Sequence, residues 1–507
     1  MTTRRLLTVP LLAALATTGL VAMPAQAASH TISLGAIART GAPIGVTGSL
    51  VSLSSTKRYT VTTGRPATVP AGKYALVAAI TESPAKTLAA RVLDVKANSA
   101  VTFDARQGKS VSFRVDDPTA RQTALAVKIS AGKKAVLSPE FLPADATYAI
   151  PTASKDLKFA VHSVLANTAA AETSYRYDLV KTTTGIPSKL PFSTTRKKLA
   201  KVTMSLGVLD PDQQVALRLS PRKADSTLVV THDGPWVEHP PAAALTSYRT
   251  PDLVWRTDLF VAGAHGTASL SMQAPVKNNR LVRYAAGKSY REDWGGGVWA
   301  VTPESVNIAV DRRTLEVGGR SPICAPSTGA VRVDSCELTP VSVTYSLFSG
   351  GKLLKSGTNI KYRIPTARKT YVVEMVARRP EGAGRSAVVT ARWSFKADGT
   401  FNGVRPAEAG RIRLVPAGMD LRGLVKPGAL TKITMGVEEL ASVKSVKLEY
   451  STDGGATWRT VPVTKSGSSW RANVPAPASG WLSLRATAKS KSGASVVQTV
   501  TNAYGVR

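Results

Sequence analysis

The stretch Gly263 to Pro275, GAHGTASLSMQAP, places a histidine and a serine, His265 and Ser271, close together in the chain. These are the residue types of nucleophilic hydrolysis, in which a serine hydroxyl attacks, a histidine takes its proton and an aspartate orients the histidine. Their spacing works against that chemistry. The stretch alternates as a strand does, and an even offset of this size leaves two side chains on one face but ~20 Å apart, far beyond hydrogen-bond reach. No aspartate motif upstream completes the set. A turn at HGT and a strand at SLSM are expected, with no catalytic residue.

Other chemistry-bearing groups read in the same way. His232, Asp233, Glu238 and His239 in THDGPWVEHPP have metal-capable side chains, but no HExxH spacing, and prolines stand where a helix would be needed. A solvated loop is expected there, with no metal and no cofactor. Cys324 and Cys336 are the two cysteines. In an exported chain they read as a local disulfide pinning one loop or hairpin; the C-x-x-C spacing of a redox pair is missing. Ser451, Asp453, Gly455, Thr457 and Trp458 match S-x-D-x-G-x-T-W, the Asp-box pattern. Aspartate and glycine suit a tight hairpin turn, with the tryptophan packed into the core beneath it. The pattern is similar to the Asp boxes of sialidases, which are structural and repeated, so a single copy implies a hairpin and not a glycosidase. Trp294 and Trp299 are expected in a core in preference to a sugar-stacking platform. His30 and His162 stand alone and take surface or capped-core roles.

Positioning any of these residues falls to strands. Apolar and polar residues alternate in VTFDARQGKSVSFRV, KVTMSLGVL, VSVTYSLF, TYVVEMVARR, SVKLEYS and WLSLRATAK, each bounded by turn formers, and no long segment keeps helical spacing. The fold class expected is all-β, with tandem β-sandwich modules, prealbumin-like or immunoglobulin-like, after a cleaved signal peptide. Residues 1–27 supply that signal: Arg4 and Arg5, an apolar run, then Ala25-x-Ala27. A small sandwich follows over 28–116, where RPATVPAGKYALVAAI sets a Pro-Ala-Gly turn before a strand. A larger irregular β-rich region covers 117–303. Two immunoglobulin-like domains, 304–400 with the local disulfide and 401–507 with the Asp-box hairpin, read as duplicates, because matching segments recur at offsets of 105 to 110 residues. A linker is expected near Gly399 to Ala409.

The chain has 66 basic and 33 acidic residues, a net charge of +33. Setting residues 1–27 aside removes two arginines and no acids and leaves +31. Such an excess favours polyanions, above all an anionic cell-envelope polymer, while the absence of any nucleic-acid-binding pattern argues against specific nucleic-acid recognition. The tightest clusters are short: Arg196 to Lys198 and Lys489 to Lys491. No apolar run after the signal is long enough to span a bilayer.

The order of a VPAGKYAL module, a middle region with YDLV and AGKSYREDWGGGVW, a TARWSF strand and a YSTDGGATWRTVPV module ending in NAY resembles the non-catalytic C-terminal region of large secreted bacterial subtilases. The resemblance covers nearly the whole chain after residue 27 and departs from the family in one respect: nothing in the sequence matches the protease domain. It implies a secreted, extracellular, non-enzymatic β protein with a binding or scaffold role toward an extracellular protein or the envelope. The alternatives are a partner or regulator of a separately encoded secreted serine protease, and a hydrolase with an unrecognised site.

Overall fold

A computed structural model describes residues 28–131, 134–142, 146–167, 175–210, 212–223, 227–230, 236–239, 244–272, 276–277, 280–281, 283–303, 305–319, 321–326 and 333–507. The expected signal peptide, residues 1–27, lies outside them. The protein is all-β: the described elements are strands, joined by two short 3-10 turns at Ala105–Gln107 and Arg196–Lys198. No helix among the described residues is long and apolar enough to cross a membrane.

The N-terminal two-thirds is built from stacked sheets. A three-stranded sheet centred on Ser29–Ile37 packs through Ile32, Leu34 and Val101 against Leu50, Leu76 and Ala78 of a six-stranded sheet. The other face of that sheet, with Ala75, Val77 and Leu88, packs on Val127, Val161 and Leu179 of a seven-stranded sheet. Val202 and Met204, on the far face of the seven-stranded sheet, share a core with Leu217 and Leu259 of a five-stranded sheet. Strands inside such a stack need apolar residues on both faces. This is why GKYALVAAITE (Gly72–Glu82) and LKFAVHSVLA (Leu157–Ala166) are buried almost continuously where edge strands alternate.

The first sandwich does not close at residue 116. Thr147–Ala149 joins its six-stranded sheet, parallel to Ala85–Val95. The third boundary shifts as well. Val333–Thr339, which carries Cys336, is the edge strand of the five-stranded sheet and pairs with Gly266–Met272, Leu270 opposite Cys336. Cys324 bonds Cys336 across a Cα separation of 5.8 Å, and its backbone bridges Ala300. The disulfide therefore belongs to the middle region and not to the immunoglobulin-like domain expected to hold it.

The two C-terminal modules share one nine-stranded sheet. Val388–Ala397 of the first pairs antiparallel with Ser495–Val506 of the second, and on either side the strands repeat in mirrored order: Lys369–Arg378, Ser342–Ser349, Lys352–Gly357 against Gly480–Ser490, Val443–Ser451, Arg459–Val461. If SAVV at Ser386 is aligned with ASVV at Ala494, Thr390 matches Gln498 and Ala391 matches Thr499. The observed pairs are Thr390 with Thr499 and Ala391 with Gln498. This crossing of equivalents is what a local two-fold axis through the sheet produces.

The segment from Gly399 to Ala409 is not a free linker. Val404–Pro406 pairs with Asn307–Asp311, and Ala409 is buried. Arg411 locks it, donating from Nη2 to the Val306 carbonyl at 2.8 Å beneath the Trp393 ring, whose Nε1 donates to the Gly410 carbonyl at 2.8 Å. A second junction fixes the modules to the stack. Asp210 is ion-paired with Arg379 in the interior, and Arg385 donates to the carbonyls of Val208 at 2.6 Å and Gly297 at 2.9 Å. Burial pushes the Arg385 guanidinium down to about 10, so it stays charged at neutral pH. Gly423, at φ 79°, leaves room for it; a Cβ there would collide with the guanidinium.

Candidate functional site

The residues that looked catalytic are kept apart. His265 lies in the turn between Val254–Gly263 and Gly266–Met272, its ring against Gly382, while Ser271 lies well along the second strand, opposite Asp258 and Ser335. His232 and Asp233 fall outside the described residues, as do the side chains of Glu238 and His239 on Trp236–His239. Trp294 and Trp299 are fully buried core residues.

The Asp-box turn forms where the pattern puts it. The Thr457 N–H donates to Asp453 Oδ1 and Oδ2, both at 3.0 Å, and the Gly455 N–H to Ser451 Oγ at 2.8 Å, with Gly455 at φ 101°. Hydrogen bonds from Ser451 and Thr457 hold the Asp453 carboxyl well below its ordinary range. Trp458 does not fill the core beneath. It is half-buried at the surface, with Gly455 at its edge and the Arg485 guanidinium 4.4 Å from its centroid. Arg485 is held there by Glu449, Nε to Oε2 2.9 Å and Nη2 to Oε1 3.0 Å. The core of this sandwich is filled by residues such as Leu448, Leu482 and Val500, and the ring stays outside it.

A serine, a histidine and an aspartate do converge elsewhere, between the seven- and five-stranded sheets. Asp178 accepts from Arg176 Nη2 at 2.7 Å and Nε at 2.9 Å and from Ser247 Oγ at 3.1 Å; His162 Nε2 lies 3.5 Å from it. The Ser247 hydroxyl in turn accepts from Arg249 Nε at 3.1 Å, and Arg249 pairs with Glu292 through Nη1 at 3.0 Å and Nη2 at 3.1 Å. Tyr284 also donates to Glu292. The order is wrong for nucleophilic catalysis, which needs histidine between serine and aspartate. All of these side chains are sealed from solvent. Burial alone would raise the Asp178 pKa, but Arg176 and His162 outweigh it and hold the carboxyl well below its usual range. The ion pairs join strands of the seven-stranded sheet, and Arg176 Nη1 ties them to the five-stranded one by donating to the Leu217 carbonyl at 3.2 Å.

A cavity of about 210 Å³ lies open on the opposite face of the Tyr175–Thr184 strand. Tyr175–Asp178 of this strand pairs with Ala244–Arg249, but past Asp178 the partner leaves through Thr250 and Pro251, and the space opens between the strand and the segment from Phe192 to Leu199. Phe113, Phe192, Leu179 and Leu199 make the apolar wall, the two phenylalanine rings 5.1 Å apart. Ser193, Thr194, Lys181 and Lys198 stand at the rim, and no carboxylate lines the space.

Asp117 anchors the short turn Arg196–Lys198 that carries Lys198. Its carboxylate accepts from Thr119 N at 3.0 Å, Tyr177 OH at 2.9 Å and Arg196 Nη2 at 2.6 Å, and Arg196 Nε donates to Tyr177 OH at 2.7 Å. Burial would raise the Asp117 pKa, but these hydrogen bonds prevail and hold it well below the ordinary carboxylate range. Arg196 lies over Tyr248, which is stacked on Tyr177 and stands opposite Lys201 in the sheet. Lys197, Lys198, Lys201 and Lys288 surround this corner, all exposed, brought together by Gly287 N to Leu199 O and Lys201 N to Lys288 O, each 2.9 Å. No carboxylate of the described residues pairs with these lysines or Lys181; the nearby acids are Asp116 and Asp117, both engaged by Arg196, and Asp252 beside Pro251. The run Arg196 to Lys198 was visible in the sequence; its cavity was not, because the lining comes from five separated segments between 113 and 251.

No family model matches the chain, and no curated protein matches it. Among solved structures, the alpha-2-macroglobulin of Escherichia coli activated by porcine elastase is 9% identical, over 95% of this chain and 53% of that one, at a TM-score of 0.14. The chain thus spans about half of that protein's length, and a score so low carries no argument about function.

Proposed function

We propose that the protein is a secreted, non-catalytic binding or scaffold protein that attaches to an anionic polymer of the cell envelope. The observation carrying this reading is the unneutralised lysine corner formed by Lys181, Lys197, Lys198, Lys201 and Lys288 on a chain of net charge +33. The interior aspartates and glutamates are matched by arginines, as in Asp178 with Arg176 and Glu292 with Arg249, so the positive excess lies outside. A basic surface with no competing carboxylate attracts polyanions by field and contact together, and the attraction is screened by salt. The resemblance of its motifs to subtilase accessory regions points to the same kind of extracellular role.

Retention on immobilised poly(glycerol phosphate) tests it. Binding should be clear at low salt and weaken steeply as salt rises, and replacing Lys197, Lys198, Lys201 and Lys288 together by glutamine should weaken it at least tenfold. Undiminished retention of that variant, or no retention of the native chain at low salt, would reject the reading.

A further inference from the structure

The cavity beside the lysine corner has a shape and a chemistry that polymer binding does not use. At about 210 Å³ it is smaller than the ~300–1,000 Å³ of sites for drug-sized ligands and suits one large apolar side chain. Its wall of Phe113, Phe192, Leu179 and Leu199 offers carbon only, while Lys181 and Lys198 reach the mouth from different elements. An apolar occupant with a negative charge next to it satisfies both halves. A phosphate polymer satisfies one.

The strand that forms the cavity's floor supplies the third element. Val180 N–H, on the side where Ala244–Arg249 has ended, donates to Thr250 Oγ1 at 2.8 Å, and Thr250 N–H donates to the Asp178 carbonyl at 3.0 Å. Alternate residues of a strand send their backbone groups to the same side, so Thr182 N–H and C=O face that same edge. No strand among the described residues pairs there. Such an edge receives an added strand, with main-chain hydrogen bonds supplying affinity and a pocket reading one side chain.

We infer that this site binds the C-terminal end of an extended peptide, its last side chain in the cavity, its carboxylate between Lys181 and Lys198, and its backbone along the Thr182 edge. The inference stands apart from polymer attachment, because it needs the cavity and the edge and not the general charge.

The test uses the full chain and three probes: N-acetyl-Thr-Val-Phe as the free acid, the same peptide as its C-terminal amide, and N-acetyl-phenylalanine, each titrated by calorimetry at physiological salt. The free acid should bind saturably, the amide at least tenfold more weakly, and N-acetyl-phenylalanine more weakly than the tripeptide. Ser193→Trp places a bulky ring at an exposed rim position and leaves the charge alone; it should abolish peptide binding while retention on poly(glycerol phosphate) persists, so the two readings fail separately. Thr182→Pro, with folding checked by its thermal melt, should weaken the tripeptide and leave N-acetyl-phenylalanine unchanged. Equal binding of acid and amide, or none by the acid, overturns the cavity assignment. Equal binding of N-acetyl-phenylalanine and the tripeptide overturns the peptide in favour of a small amphipathic acid.

Discussion

Trp393 and Trp458 occupy the two halves of the shared sheet in opposite settings. Trp393 is fully buried, hydrogen-bonded to the Gly410 carbonyl and covered by Arg411, whereas Trp458 lies at the surface beneath Arg485. Removing the first leaves a cavity and takes one of two hydrogen bonds from the Gly410 carbonyl; removing the second ends one exposed cation–π contact. Trp393→Ala should therefore cost ~3–5 kcal/mol, and Trp458→Ala only about 1 kcal/mol, as read from denaturation of the full chain followed by circular dichroism. A comparable loss at both positions would place Trp458 in the core after all. The turn around Asp453 was legible because its hydrogen bonds span four residues. The fate of the ring was not, since it depends on Arg485, which arrives from a different strand. The same distance hid the network of Arg176, Asp178 and Glu292: charges alternating in a strand read as a solvated face until a second sheet covers them.

At the scale of elements, alternation disclosed the strands but not their partners. VDSCELT reads as a strand from its pattern, yet its pairing with Gly266–Met272 moves the disulfide out of the domain that follows it in sequence. The bond between Cys324 and Cys336 closes a separation of 12 residues and ties an edge strand to the segment that bridges Ala300. Cys324→Ser should lower stability by ~2–3 kcal/mol through the unfolded state, and its local effect should be faster amide exchange in Val333–Thr339 and around Ala300, with Val388–Ala397 unaffected. Loosening confined to the C-terminal modules would return the disulfide to them. The cavity escaped for the related reason that it forms where two strands part, and a sequence pattern marks where a strand runs, not where its neighbour stops.

For the whole molecule, the recurrence of similar segments revealed two related modules, but their mode of joining follows from geometry. Val388–Ala397 and Ser495–Val506 each pair on one side within their own module and on the other side with each other, so each would present an unpaired edge without its counterpart. An unpaired edge of this length is a template for pairing. In the full chain the two modules should accordingly unfold in a single transition, since separating them breaks the ladder from Val388–Thr501 to Ser394–Ser495. Residues 401–507 produced alone would expose the Ser495–Val506 edge, and the local two-fold axis offers a ready substitute: a second copy in the place of the missing module. Light scattering on the isolated fragment should show a dimer that dissociates when Thr499→Pro, opposite Thr390 in the ladder, removes a central donor from the edge. A monomeric fragment melting at the same temperature as the intact pair would show that the shared sheet joins two independently stable domains and contributes little to holding either together.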